Sequence, residues 1–236
     1  MFGRIFLTSA LLFSSLANAL TIDSMYLVSD DRGNSIISLT NDLEQTSFVN
    51  TYISELTTDE KGNIIRNKYT EENFDDWKII TTTPRLIIEP GVSKDIGIRA
   101  LCDPDSCAHD KDLMFSIVFE PSPYFEDSVS SQSSVMINYG YASLFIIPAK
   151  NQNISYTLVN RGEYILARNT GNTLLNLVID QCSSIVKNNC RVTERLLSGR
   201  ERQIKLPDHF KRDKIEVKIY NHDESYKGKQ SLDLIN

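Results

Sequence analysis

Histidine is scarce in this sequence, three residues in 236, and His109, His209 and His222 stand apart from one another. None falls in a paired metal-binding spacing such as H-E-x-x-H, and the chain has neither a G-x-S-x-G elbow nor a phosphate-cradling glycine loop. There is one tryptophan, no run of lysine and arginine, and a formal net charge of −6. That balance argues against nucleic acid or an anionic membrane surface as the partner. Carboxylates are plentiful, as in Glu71-Glu72, Asp75-Asp76 and Asp110/Asp112, and they read as solvated loop charges. A glycosidase can hide its two acids on separate strands, which spacing does not test. With no recognisable catalytic constellation, the expectation is a protein that is not an enzyme and holds no cofactor.

Long apolar runs are missing beyond the N-terminus. There, Arg4, the stretch IFLTSALLFSSL and Ala17-Asn18-Ala19 read as a secretory signal peptide, residues 1–19, ending in an A-x-A cleavage site. Cleavage after Ala19 leaves about 217 residues beginning at Leu20. No later run approaches the roughly 18 residues that cross a bilayer, so a soluble exported protein is expected. Cysteine is limited to four residues in two close pairs, Cys102 with Cys107 and Cys182 with Cys190. In an exported protein the default is two disulfides, each closing a short loop, although other pairings satisfy the count. CDPDSCAH also offers Cys102, Cys107 and His109 as metal ligands, but a structural zinc site takes four and no second cluster follows. A disulfide-closed loop, without metal, is the expectation.

What the chain has in quantity is short apolar alternation of period two. IDSMYLV, NSIISLTN, TSFVNTYISEL, WKIITTTPRLIIEPG, KDIGIRAL and DLMFSIVFEP recur between turn residues such as Asp31-Arg32-Gly33-Asn34, Lys61-Gly62-Asn63 and Pro90-Gly91. Strands at this spacing predict an all-β, immunoglobulin-like sandwich over residues 20–149. After the polar Ala149-Lys150-Asn151-Gln152 a second set begins, with NISYTLVN, EYILARNTGN, TLLNLVIDQC, CRVTERLL, RQIKLP and KIEVKIYNH, predicting a smaller β-domain over 150–236. Asn169-Thr170-Gly171-Asn172 reads there as a hairpin turn. Trp77 reads as a core residue of the first sandwich rather than a recognition aromatic.

One stretch stands out. From Val135 to Pro148 the odd positions are Val135, Ile137, Tyr139, Tyr141, Ser143, Phe145 and Ile147, a nearly continuous bulky row. The even positions are small or polar first and apolar later, ending in Leu144 and Ile146. Side chains alternate across a strand, so this is a long strand with one apolar face and a second face that turns apolar towards its end. It follows the Ser-rich DSVSSQSS, Asp127 to Ser134, which supplies no apolar anchor. Its first half is therefore available to a partner. Tyr139 and Tyr141 share a face, so they are either buried together in the sandwich or presented together.

The order of these features resembles a known family. MYLVSD with a Gly-Asn turn and NSIISLTND, then Trp77 followed by IITTTPRLIIEPGVSKDIGIRA, then DLMFSIVFEP and the strand ending LFIIP, then YILARNTGNTLLNLVIDQC, Cys190 and LLSGRERQIKLP, together resemble the PapD-like periplasmic chaperones of chaperone–usher pili, in their alternate, colonisation-factor-type class. The resemblance implies two immunoglobulin-like β-sandwich domains in a boomerang arrangement. It implies a periplasmic protein that captures pilin or fimbrial subunits by lending them a strand and delivers them to an outer-membrane usher. Main-chain ladders would give the affinity and pockets for alternate side chains the specificity. Carried onto this chain, the donated row is Val135, Ile137 and Tyr139, with Tyr141 next along. An exposed row of this kind also gives the free protein a reason to cap itself as a homodimer.

The resemblance departs at one point. The best-known branch anchors the pilin's terminal carboxylate with an arginine in the first strand and a lysine in the donor strand, and here Tyr26 and Ser143 align with those positions. Arg99 is the candidate replacement, then Arg85, then Lys150 at the hinge, since a guanidinium grips a carboxylate bidentately. Arg99 has a plainer role open to it, a structural ion pair with one of the nearby acids. Two other functions compete with the chaperone: a secreted β-sandwich adhesin or pilus structural subunit, and a secreted hydrolase. A pilin carries its own donor extension before its first strand, whereas strand-like sequence here begins at Leu20.

Overall fold

The computed structural model describes residues 19–101, 110–123 and 139–235. Among these described residues there are seventeen strands and one short 3-10 helix. The chain folds as two immunoglobulin-like β-sandwiches, because no sheet mixes strands from before Ile147 with strands from after Tyr156.

In the first sandwich, one sheet runs β1 (Leu20–Ile22), β3 (Ser35–Asn41), β8 (Ser93–Ala100), β6 (Ile79–Thr81). The facing sheet runs β2 (Tyr26–Val28), β10 (Tyr141–Ile147), β9 (Leu113–Pro123), β4 (Ser47–Thr58), β5 (Ile64–Lys68), with β7 (Arg85–Ile88) also on β4. The alternation anticipated from sequence is visible in β3 and β8, whose Ile37, Leu39, Ile96 and Ile98 are fully buried. They meet Phe115, Ile117, Phe119 and Phe145 from the other sheet. Two segments that read as single strands are each split. IDSMYLV breaks at Ser24, so β1 joins one sheet and β2 the other, and WKIITTTPRLIIEPG divides likewise into β6 and β7. Trp77 packs partly buried against this core and stacks on Tyr69, ring centroids 5.2 Å apart.

The second sandwich pairs a three-stranded sheet, β11 (Tyr156–Asn160), β12 (Tyr164–Asn169), β15 (Glu201–Lys205), with a four-stranded one, β14 (Arg191–Leu196), β13 (Leu175–Asp180), β16 (Lys214–Tyr220), β17 (Lys227–Asp233). Residues 169–172 are not a hairpin turn, because β12 and β13 belong to different sheets and the segment crosses between them. Asn169 holds that crossing: its buried side-chain amide donates to the carbonyls of Thr173 and Leu196 at 2.8 and 2.9 Å. A Cβ on Gly171 would lie 2.3 Å from the Asn153 carbonyl, so the crossing needs glycine there to pass the linker. Cys182 and Cys190 form a disulfide, as expected. Cys102 and Cys107 lie outside the described residues.

Between the sandwiches lies a third apolar cluster of Leu56, Met114 and Ile146 from the first and Leu174 and Leu197 from the second. It accounts for the late apolar turn of the even-numbered face in 135–148. Leu144 and Ile146 face the second sandwich, while Phe145 and Ile147 face the core of their own.

Candidate binding site: an open strand edge beside an arginine-lined cleft

Strand β10 is the centre of the site. It pairs antiparallel with β9 over its whole length, from Tyr141 opposite Phe119 to Ile147 opposite Leu113. On its other side β2 covers it in parallel only from Leu144, opposite Tyr26, to Ile146, opposite Val28. The Leu144 amide donates to the Met25 carbonyl at 3.0 Å, and the Ile146 carbonyl accepts from the Ser29 amide at 2.9 Å. Peptide groups alternate sides along a strand, so the groups of Gly140 and Ala142 face the same edge. Among the described residues nothing pairs with them there. Gly140 lets the backbone lie close to β9, because a Cβ at that position would meet the Phe119 carbonyl at 2.9 Å.

The anticipated row divides accordingly. Tyr141 packs partly buried on the first core and Tyr139 is 77% exposed, so the two tyrosines are presented differently despite sharing a face. Val135 and Ile137 lie outside the described residues. Ser143 is buried, and its hydroxyl donates to the Ser24 carbonyl at 2.5 Å, which ties β10 to the chain just ahead of β2.

Beside the open edge, a cleft of about 400 Å³ separates the two sandwiches. Leu144 belongs to its apolar lining and Ala142 extends that lining along the strand. Its polar lining is strongly one-sided: Arg66 from β5, Arg195 from β14, Arg200 from the following turn and Arg202 from β15, against Glu194. Arg202 is neutralised by Glu194 at 2.6 Å. Arg195 lies over the Tyr26 ring, 4.4 Å from its centroid, a cation–π contact that leaves its positive charge uncompensated. Arg66 and Arg200 have no carboxylate within ion-pair distance among the described residues. A cleft of one sign with apolar walls focuses its field on an incoming anion.

Tyr26 occupies the position of the first-strand arginine of the best-known branch, as a half-buried residue. Its hydroxyl oxygen is enclosed and has no hydrogen-bond partner among the described residues. Burial pushes the phenol up to about 12, with Arg195 pulling it down and Asp112 pushing it up.

The three cations nominated from sequence lie elsewhere. Arg99 is an exposed residue of β8 opposite Ile80, Arg85 an exposed residue of β7 opposite Asn50, and Lys150 an exposed residue just after β10; none lines the cleft. The arginines that do line it went unnoticed because they are scattered along the sequence, and only the meeting of β5, β14 and β15 across the interdomain gap brings them together. The expectation of solvated acids holds at Glu71, Glu72, Asp75, Asp76 and Asp110, all exposed, but fails at Asp112, which is 2% exposed. Among the described residues no three His, Cys, Asp or Glu side chains converge as a metal site, and no helix is long and apolar enough to cross a membrane.

Comparison with known proteins gives this geometry a family. Residues 22–148 match the family of the CS5 fimbrial protein N-terminal domain. No curated protein sequence matches the chain. Among solved structures, the class 5 fimbriae chaperone CfaA superposes with a TM-score of 0.54 at 15% identity, covering 92% of this chain and 99% of CfaA. A chain of the CsuC–CsuE chaperone–tip adhesion subunit complex, from the archaic chaperone–usher Csu pili of Acinetobacter baumannii, superposes with a TM-score of 0.57 at 10% identity, covering 92% and 100%. A chain of the Salmonella enterica SafA pilin complex with the SafB chaperone gives 0.57 at 11%, covering 94% and 99%. With more than half of its length matched by the family model, the chain belongs to the CS5 fimbrial protein N-terminal domain family, on the PapD-like chaperone fold of two immunoglobulin-like sandwiches.

Proposed function

We propose that this protein is a periplasmic chaperone of fimbrial assembly, with a first domain from Leu20 to Ala149 and a second from Lys150 onward. It binds an incomplete subunit by adding the segment Val135–Tyr141 to the subunit's open sheet and hands the subunit to an outer-membrane usher. The observation that carries this reading is the half-covered strand: β10 is paired on both sides from Leu144 to Ile146 and on one side only before that. An edge left open at Gly140 and Ala142 gives a partner strand its ladder, and a row beginning at an exposed Tyr139 gives it side chains to bury. Each such side chain contributes roughly 1.5–3 kcal/mol before ordering costs. The work is binding, and it needs no catalytic group, cofactor or metal.

The anchor for the subunit's terminal carboxylate is assigned to the cleft, with Arg195 and Arg200 as its principal cations and Arg66 opposite them. Their support is position: they flank the strand edge, and no acid among the described residues neutralises them. This replaces Arg99, Arg85 and Lys150. Co-expression with candidate fimbrial subunits, followed by isolation of complexes, tests the reading. Replacing both Ile137 and Tyr139 by Asp abolishes the complex while the free protein stays folded, and the Arg195→Ala/Arg200→Ala pair weakens it where Arg99→Ala does not. Undiminished capture by the double Asp variant sinks the strand assignment. A second reading, a structural fimbrial subunit, is favoured only by the family's description as a fimbrial protein domain. Antibody labelling of isolated fibres decides it: a structural subunit is found in the fibre, a chaperone is left in the periplasm.

A further inference from the structure

We infer that Asp112 is the pin that fixes the angle between the two domains, and so holds the cleft arginines in register with strand β10. The consequence for capture rests on the chaperone role proposed above; the pin itself does not. The arginines Arg195, Arg200 and Arg202 belong to the second domain, whereas the strand edge belongs to the first. Whatever sets the interdomain angle therefore sets the distance between the two halves of the site.

Asp112 stands at the foot of β9, 2% exposed. Its amide donates to the Asn172 carbonyl at 2.8 Å. One carboxylate oxygen accepts from the Ala149 amide in the linker at 2.8 Å. The other accepts from the Leu174 amide at 2.7 Å and the Thr173 hydroxyl at 3.1 Å, both in the second domain. Asn172 tightens the same knot, donating to the carbonyls of Asp110 and Asn151 and accepting from the Asn153 amide at 2.6 Å. First domain, linker and second domain thus meet at one carboxyl group.

Of the other interdomain contacts, Arg195 over the Tyr26 ring is directional but single, and the rest give less direction still. The apolar cluster around Leu56, Ile146 and Leu197 favours contact without fixing an orientation. The polar contacts on the far side, Thr58 hydroxyl to Ser198 carbonyl and Glu201 amide to Gly62 carbonyl, are single bonds of 3.2 and 3.3 Å. No cation within ion-pair distance compensates Asp112 among the described residues, and burial pushes its carboxyl up against the pull of its three donors and of His222. A carboxyl buried there at a cost, when an apolar residue would seal the interface more cheaply, fits a part that orients rather than one that merely stabilises. Nor does asparagine replace it: with one carbonyl oxygen it can serve only one side, and its NH₂ would face an amide donor.

The test is made on the free protein by residual dipolar couplings. In the wild type, one alignment tensor fits both domains; in Asp112→Asn each domain keeps its own fold and the two need separate tensors. A single shared tensor in Asp112→Asn, with the wild-type orientation, overturns the pin. Should that variant not fold, hydrogen exchange in the wild type takes its place. The Ala149 and Leu174 amides should exchange as slowly as core amides such as that of Phe145, and exchange at loop rates overturns the proposal. With a subunit present, Arg195→Ala is expected to weaken capture by about tenfold in the wild type and by less than about twofold in the Asp112→Asn background, a loss of coupling that a merely stabilising role would not produce. An equal loss in both backgrounds overturns the link to the cleft. If the wild type captures no subunit, the chaperone reading fails and the tensors alone judge the pin.

Discussion

The two halves of strand β10 differ in almost every physical respect although they belong to one continuous alternation. From Leu144 to Ile147 the strand is paired on both sides for most of its length, and Phe145 and Ile146 are fully buried on opposite faces. From Tyr141 to Ser143 it has one neighbouring strand, and just ahead of it the Tyr139 side chain stands 77% exposed. The rooted half anchors the free half, which is what the proposed role requires of a strand lent to a partner. An open edge is an aggregation hazard, and under the proposed role it is kept here for a partner strand.

That contrast breaks most severely at Phe145. Its ring lies 6.1 Å from that of Phe115 in the middle of the first core. Phe145→Ala is expected to cost about 3–5 kcal/mol through lost burial and a cavity, read as a lower denaturation midpoint in urea with unchanged slope. Capture falls with it, because the strand loses its root.

Next comes Tyr139→Ala, at the free end. Its exposure places the stability change within about 0.5 kcal/mol. Loss of the partner's pocket contact should weaken capture by about tenfold or more, corresponding to roughly 1.5–3 kcal/mol of burial. Equilibrium binding of a purified subunit, beside a melting curve of the free variant, separates the two effects. A variant that destabilises the free protein as Phe145→Ala does would erase the distinction between the halves.

The sequence makes this contrast only partly visible. Period-two alternation showed the strand, and the late apolar turn at Leu144 and Ile146 showed that its second face meets something apolar. That the something is another domain, through Leu174 and Leu197, lies in the tertiary arrangement. Turn chemistry misled at 169–172, because Asn-Thr-Gly-Asn specifies a sharp bend and says nothing about whether the flanking strands share a sheet. IDSMYLV misled in the same way: its apolar pattern continues through Ser24 while its hydrogen bonds change sheets. Arg195 and Asp112 were illegible for a simpler reason. A charged residue looks alike in sequence whether it faces solvent, a cleft or a buried knot, and only the surroundings that folding assembles tell these apart.

A smaller effect is expected where the halves join. Ser143→Ala removes the bond to the Ser24 carbonyl, at a cost of about 1 kcal/mol. The loss should fall mainly on the β2 edge, so amide exchange should quicken at Leu144, whose bond to Met25 lies next in line, before it quickens at residues paired only with β9.

The smallest change sharpens the comparison by testing what the cleft gains from Tyr26. Its hydroxyl is enclosed without a partner among the described residues, so Tyr26→Phe removes an unbonded polar atom and keeps the ring beneath Arg195. Near neutral pH the substitution should leave stability unchanged or slightly raised. In alkali the two proteins diverge. The phenol titrates at about 12 in the folded protein against 10.0 ordinarily, so its neutral form is the one the fold accommodates. An acid whose folded value is raised contributes fully below its unfolded value and loses that contribution as pH climbs through and above 10. Wild type should therefore lose stability between about pH 10 and 12 faster than Tyr26→Phe, by denaturant titration at each pH. Parallel alkaline curves would mean that the hydroxyl finds a partner in solution.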